Sequence, residues 1–131
     1  MITQTELDNR FFILASTLKL HYERKVPLHS RLADILIPSE FITKGRSKNG
    51  SGYKEHVVPL SHLNKEVYKL FDENKSLDDV IAFLKRNLIV IKISKDEASL
   101  LDSKHKTTMP EGWQDDPYIR LSPIKNNIIF D

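Results

Sequence analysis

The chain has 131 residues, 40% of them apolar and 29% charged. That length suits a single domain with a real core, and the composition excludes extensive disorder. A formal charge of +2 neither requires nor forbids a polyanionic partner, so the distribution of charge carries more information than its sum.

The absence of cysteine removes disulfides, thiolate metal sites and cysteine nucleophiles together, and it fits a reducing compartment. No apolar run approaches the roughly 20 residues needed to cross a bilayer. Met1-Ile2-Thr3-Gln4-Thr5-Glu6 lacks the basic start and apolar centre of a signal peptide. A cytoplasmic protein without a membrane partner is the expectation.

In chain order, Thr5 is placed to cap a helix beginning at Glu6, with Asp8 adding negative charge to the first turn. Leu7, Phe11, Leu14, Ala15, Leu18 and Tyr22 recur at helical spacing and predict a broad buried stripe. Phe12, Ile13 and Leu20 widen the apolar coverage beyond that stripe, which suits either deeper burial or a homodimer contact through this first helix. Pro27 marks its end. A shorter helix is expected from Ser30, turning Leu32, Ile35 and Leu36 inward and stopped by Pro38.

Lys44-Gly45-Arg46-Ser47-Lys48-Asn49-Gly50-Ser51-Gly52 reads as a basic, glycine-rich loop. Lys44, Arg46, Lys48 and Lys54 would contact phosphates there as a mobile clamp, or simply form a solvated surface. Tyr53-Lys54-Glu55-His56-Val57-Val58-Pro59 alternates as a strand does and places His56 on one face, with Pro59 closing it.

Two helices follow. Ser61 is expected to cap one that runs to about Asn74, with Leu63, Val67, Leu70 and Phe71 inward. Ser76-Leu77-Asp78-Asp79 resembles a capping box for the next, which ends near Asn87 and buries Val80, Ile81, Phe83 and Leu84. Leu88-Ile89-Val90-Ile91-Lys92-Ile93 is the strongest strand signal in the chain. Ser94-Lys95-Asp96-Glu97 is a full capping-box match and starts a helix directly after it. Lys104-His105-Lys106 adds basic charge at that helix's end. From Thr107 onward prolines and glycine punctuate extended packing segments anchored by Trp113, Tyr118, Ile119 and Leu121, with Ile128-Ile129-Phe130 as a final strand.

Glu55-His56-Val57-Val58-Pro59 resembles the opening motif of the HNH, or His-Me finger, endonucleases. The resemblance extends to Asn87-Leu88-Ile89-Val90-Ile91 and to the helix after Ser94. It implies an α+β fold with a ββα-metal centre spanning 53–106, elaborated by an N-terminal helical part (1–43) and inserted helices and followed by an extended segment (107–131), all within one domain.

It also implies divalent-metal-dependent cleavage of nucleic acid, DNA above all. His56 would be the general base and Asn87 would orient its ring; Glu55, with Glu97 or Asp96, would hold one Mg²⁺ or Mn²⁺ ion. Lys44, Arg46, Lys48, Lys54, Lys104 and Lys106 would contact the backbone of the nucleic acid. The sequence departs from the family in offering only carboxylates as helix ligands and in the long interval from His56 to Asn87.

Each residue also has a structural use: His56 bonded to a backbone carbonyl, Asn87 ending a helix, Glu97 serving as a cap alone. The alternative reading is a non-catalytic module that binds nucleic acid or protein, of the kind small phage or plasmid proteins use to inhibit a host system.

Overall fold

A computed structural model describes residues 2–29 and 31–131. The chain is a mixed α+β fold. Its helices are α1 (Gln4–Arg24), α2 (Leu32–Leu36), α3 (Leu60–Asp72), α4 (Leu77–Asn87) and α5 (Lys95–His105). Its strands are β1 (Thr43–Ser47), β2 (Tyr53–His56), β3 (Val90–Ile93) and β4 (Ile128–Phe130), joined in the order β2-β3-β1-β4. β2 lies antiparallel to β3, β3 parallel to β1, and β1 antiparallel to β4.

α1 starts two residues earlier than expected because the Thr3 hydroxyl, not Thr5, accepts from the Glu6 amide; Lys25, in the left-handed conformation, closes it. Phe11, Leu14, Ala15 and Leu18 are buried as the spacing predicts. Phe12, Ile13 and Leu20 are exposed, so the extra apolar residues of this helix do not deepen the core. In α2 the direction of Ile35 is corrected. It points to solvent, while Ala33 and Ile37 are buried, because a five-residue helix presents only one turn to its neighbour. The start expected at Ser30 lies outside the described residues. Both capping boxes form, Ser76 with Asp79 and Ser94 with Glu97. No such cap opens α3, which begins at Leu60 after Pro59.

The largest correction concerns the basic glycine stretch. Its first half is a strand, and β1 occupies a central position in the sheet. Thr43-Lys44-Gly45-Arg46-Ser47 has no apolar alternation to announce it. Small side chains replace large ones on its covered face, where Gly45 and Ser47 are buried. A Cβ on Gly45 would sit 2.7 Å from the carbonyl oxygen of Ile129, so glycine is what lets β4 approach.

Two cores meet at the sheet. α1, α3 and α4 enclose one around Leu14, Leu18, Leu63, Val67 and Leu84, with Val90 reaching into it and Trp113 anchored in it. α5 and the 3₁₀ segment Pro117–Asn127 cover the opposite sheet face over Ile91, Ile93, Leu101, Leu121 and Ile124.

Candidate functional site

Neighbouring residues on β2 face opposite sides of the sheet, and this parts the two residues that open the motif. Glu55 pairs opposite Ile91 and turns to the face covered by α5; His56 pairs opposite Val90 and turns to the other.

Glu55 is buried and bonded to the equally buried Arg120, whose Nη1 donates to its Oε1 at 2.9 Å. Arg120 also donates to the carbonyl oxygens of His105 (2.8 Å) and His56 (3.2 Å), tying the 3₁₀ segment to α5 and β2. Burial pushes the Glu55 carboxyl above the usual carboxylate range, against the opposing pull of the Arg120 guanidinium.

On the other face, His56 Nε2 lies 2.8 Å from Asp34 Oδ1, supplied by α2, and Arg31 Nη2 holds the second Asp34 oxygen at 2.9 Å. His56 Nδ1 is enclosed without a hydrogen-bond partner. Burial lowers the imidazole pKa below its ordinary value while Asp34 resists. The ring is thus favoured as neutral, with one nitrogen spent on a carboxylate and the other sealed from solvent.

Glu97 serves the fold. One oxygen accepts from the Ser94 amide and the other from Ser47 Oγ (2.9 Å) and Asn127 Nδ2 (3.1 Å), so one carboxylate stitches α5 to β1 and to the approach to β4. Burial alone would raise its pKa, but these hydrogen bonds outweigh it and hold the group below the usual range. Asp96 is exposed in the first turn of α5. Asn87 Nδ2 donates to the Phe83 carbonyl (3.0 Å), and no hydrogen bond joins it to His56 among the described residues.

The Mg²⁺ or Mn²⁺ site that the resemblance implies would need Glu55 and an α5 carboxylate beside His56. Among the described residues no three His, Cys, Asp or Glu side chains gather where they would hold a metal ion. Glu55 and Glu97 are each committed to other partners. The residues present do not fit that ion.

The basic residues fare differently. Lys92 is paired on one side with Lys54 of β2 and on the other with Arg46 of β1. Side chains paired directly across strands share a face, and strands are about 4.8 Å apart, so the three cations form a row about 10 Å long. The row lies on the His56 face, beyond the point where Val90 enters the helical core. Lys54 and Arg46 are exposed and Lys92 half-buried.

Lys44 and Lys48 flank Arg46, both exposed, and Arg46 makes only a 3.4 Å surface contact with Asp131. Lys104 lies apart on α5, exposed. Where the row ends at Lys54 an open cleft of about 800 Å³ begins, lined by Arg31, Asp34, Glu40, His56, Asp102 and Lys106 among others.

Sequence reasoning missed Asp34, Arg120 and Lys92 as partners. Asp34 and Arg120 stand alone among apolar neighbours, which is a weak signal of a buried pairing; Lys92 breaks an otherwise apolar strand, which is a stronger one. Comparison with protein families, curated proteins and solved structures found no match to this chain.

Proposed function

We propose that this protein binds nucleic acid without cleaving it, holding the phosphate backbone along the row Arg46–Lys92–Lys54 with Lys44 and Lys48 at its flank. The observation that carries the reading is the register that sets three cations directly opposite one another. Like charges so placed destabilise a sheet. A polyanion removes that repulsion and releases its own counterions as it binds. The cleft at the end of the row adds no cationic excess, because its Arg31, Lys54 and Lys106 are matched by Asp34, Glu40 and Asp102, while Glu55 is matched by Arg120. Phosphates belong on the sheet face and not in the cleft.

A hydrolytic reading of the same region rests on the antiparallel β2–β3 pair followed by α5 and on a histidine oriented by Asp34 beside the row. It requires a ring nitrogen that water or substrate can reach, whereas Nε2 is bonded to Asp34 and Nδ1, though unpartnered, is enclosed.

Fluorescence anisotropy with duplex DNA, single-stranded DNA and RNA across a salt series tests the binding. Alanine at Arg46, Lys54 and Lys92 together should lower the slope of log affinity against log salt by about 3 on duplex. An unchanged slope removes the proposal. Incubating plasmid with Mg²⁺ or Mn²⁺ separates the two readings: nicking that is lost in His56→Ala would establish the nuclease instead.

A further inference from the structure

α1 exposes three large apolar side chains, Phe12 at 54%, Ile13 at 49% and Leu20 at 57% of their full surface. At 100° per residue they flank Ser16 on the side away from the buried stripe, with Phe12 and Leu20 lying 40° to either side of it and one turn before and after. Phe12 and Leu20 are symmetric about Ser16, while Ile13 has Lys19 as its counterpart.

We infer that α1 is the contact of a homodimer, packed antiparallel against its own copy with the twofold axis at Ser16. Phe12 then meets Leu20 of the second copy, and the same contact recurs across the axis, as an isologous interface requires. A second copy is favoured over another partner by the distribution of charge. The N-terminal half of α1 carries Glu6, Asp8 and Arg10, a net charge of −1, while its second half carries Lys19, Glu23 and Arg24, a net charge of +1, with Lys25 just past its end. Antiparallel packing sets each acidic end beside a basic one and aligns the helix dipoles favourably. Parallel packing would do neither. Serine at the axis is small enough for the helices to approach to an ordinary interaxial distance of about 8–10 Å, which brings the facing Cα atoms within about 6 Å.

The three side chains leave roughly 100 Å² each, so they contribute about 300 Å² per copy against the ~800 Å² of a standard stable interface. The dimer is therefore reversible and dependent on concentration.

Sedimentation equilibrium of the whole chain, from low micromolar to near-millimolar loading, should show the average mass climbing from 15.2 kDa toward twice that value. Phe12→Asp with Leu20→Asp should hold it at the monomer while circular dichroism and melting stay those of the parent, since both side chains are already in water. Ser16→Cys, the only cysteine in an otherwise cysteine-free chain, should oxidise to a disulfide-linked dimer within disulfide reach, and Lys19→Cys more slowly. A parent that stays monomeric at every loading overturns the inference. So does association that survives the double aspartate variant, or cross-linking at Lys19→Cys faster than at Ser16→Cys.

Discussion

Lys92 sits between two other cations, and removing its charge separates a structural role from a binding one. Lys92→Gln keeps much of the side-chain stem over the sheet and deletes only the charge. Two unit charges about 7 Å apart at a dielectric near 80 repel by about 0.6 kcal/mol. Lys54 and Arg46 together therefore cost about 1.2 kcal/mol before screening, and a Debye length of about 8 Å at physiological salt cuts this to about 0.5 kcal/mol. This lies inside the range of roughly 0.2–1 kcal/mol for cross-strand pairs.

Lys92→Gln should then melt about 2 °C above the parent at physiological salt. The gain should grow at low salt and vanish near ~1 M, where the Debye length is about 3 Å. The same variant should bind duplex DNA more weakly, with the salt slope reduced by about 0.9. Differential scanning calorimetry and anisotropy on the same samples read both. A variant that is less stable than the parent by the same margin at every salt concentration would mean that Lys92 contributes packing and the row is not repulsive. The argument for an anionic ligand would then fail.

Three further outcomes follow from the geometry. Gly45→Ala forces a Cβ against the Ile129 carbonyl, 2.7 Å away; it should cost about 1–3 kcal/mol and speed hydrogen exchange at the β4 amides ahead of the rest of the sheet. Arg120→Met strands the Glu55 carboxylate and should cost about 3–5 kcal/mol in chemical denaturation, much of it restored when Glu55→Leu is added; a single-variant loss below about 1 kcal/mol would show that the pair is not buried as described. His56 has a folded pKa below its ordinary 6.5, so between those two values the unfolded chain binds a proton that the folded chain refuses. Its contribution to stability is complete above 6.5 and falls away as the pH drops below it. His56→Gln should flatten that part of the stability–pH curve, and an unchanged curve would mean that the ring protonates freely in the fold.

Metal chemistry at Glu55 and Glu97 was a reasonable expectation from residue types in sequence. In the fold both carboxylates bond to other side chains. Glu97 had a capping role legible in Ser94-Lys95-Asp96-Glu97, and the structure adds Ser47 and Asn127, remote in sequence, which use up its remaining oxygen. Glu55 could not be recognised as half of an ion pair, because Arg120 lies sixty-five positions away in a segment whose spacing follows neither helix nor strand.

What the sequence by itself determined was local. Apolar periodicity drew the buried stripe of α1 and the inner faces of α3 and α4; two capping boxes placed the starts of α4 and α5; β-branched density located β3. Each of these depends on residues within a turn or two of one another, so the chain states them wherever it is read. The strand status of Thr43–Ser47 was decided only in three dimensions, because its covered face uses glycine and serine to admit β4 and α5, and small residues carry no periodic signal. Pairing across strands also decided the fate of the charges. It brought Arg46, Lys92 and Lys54 from three separate stretches into one line, since register is a property of the sheet and not of any strand within it.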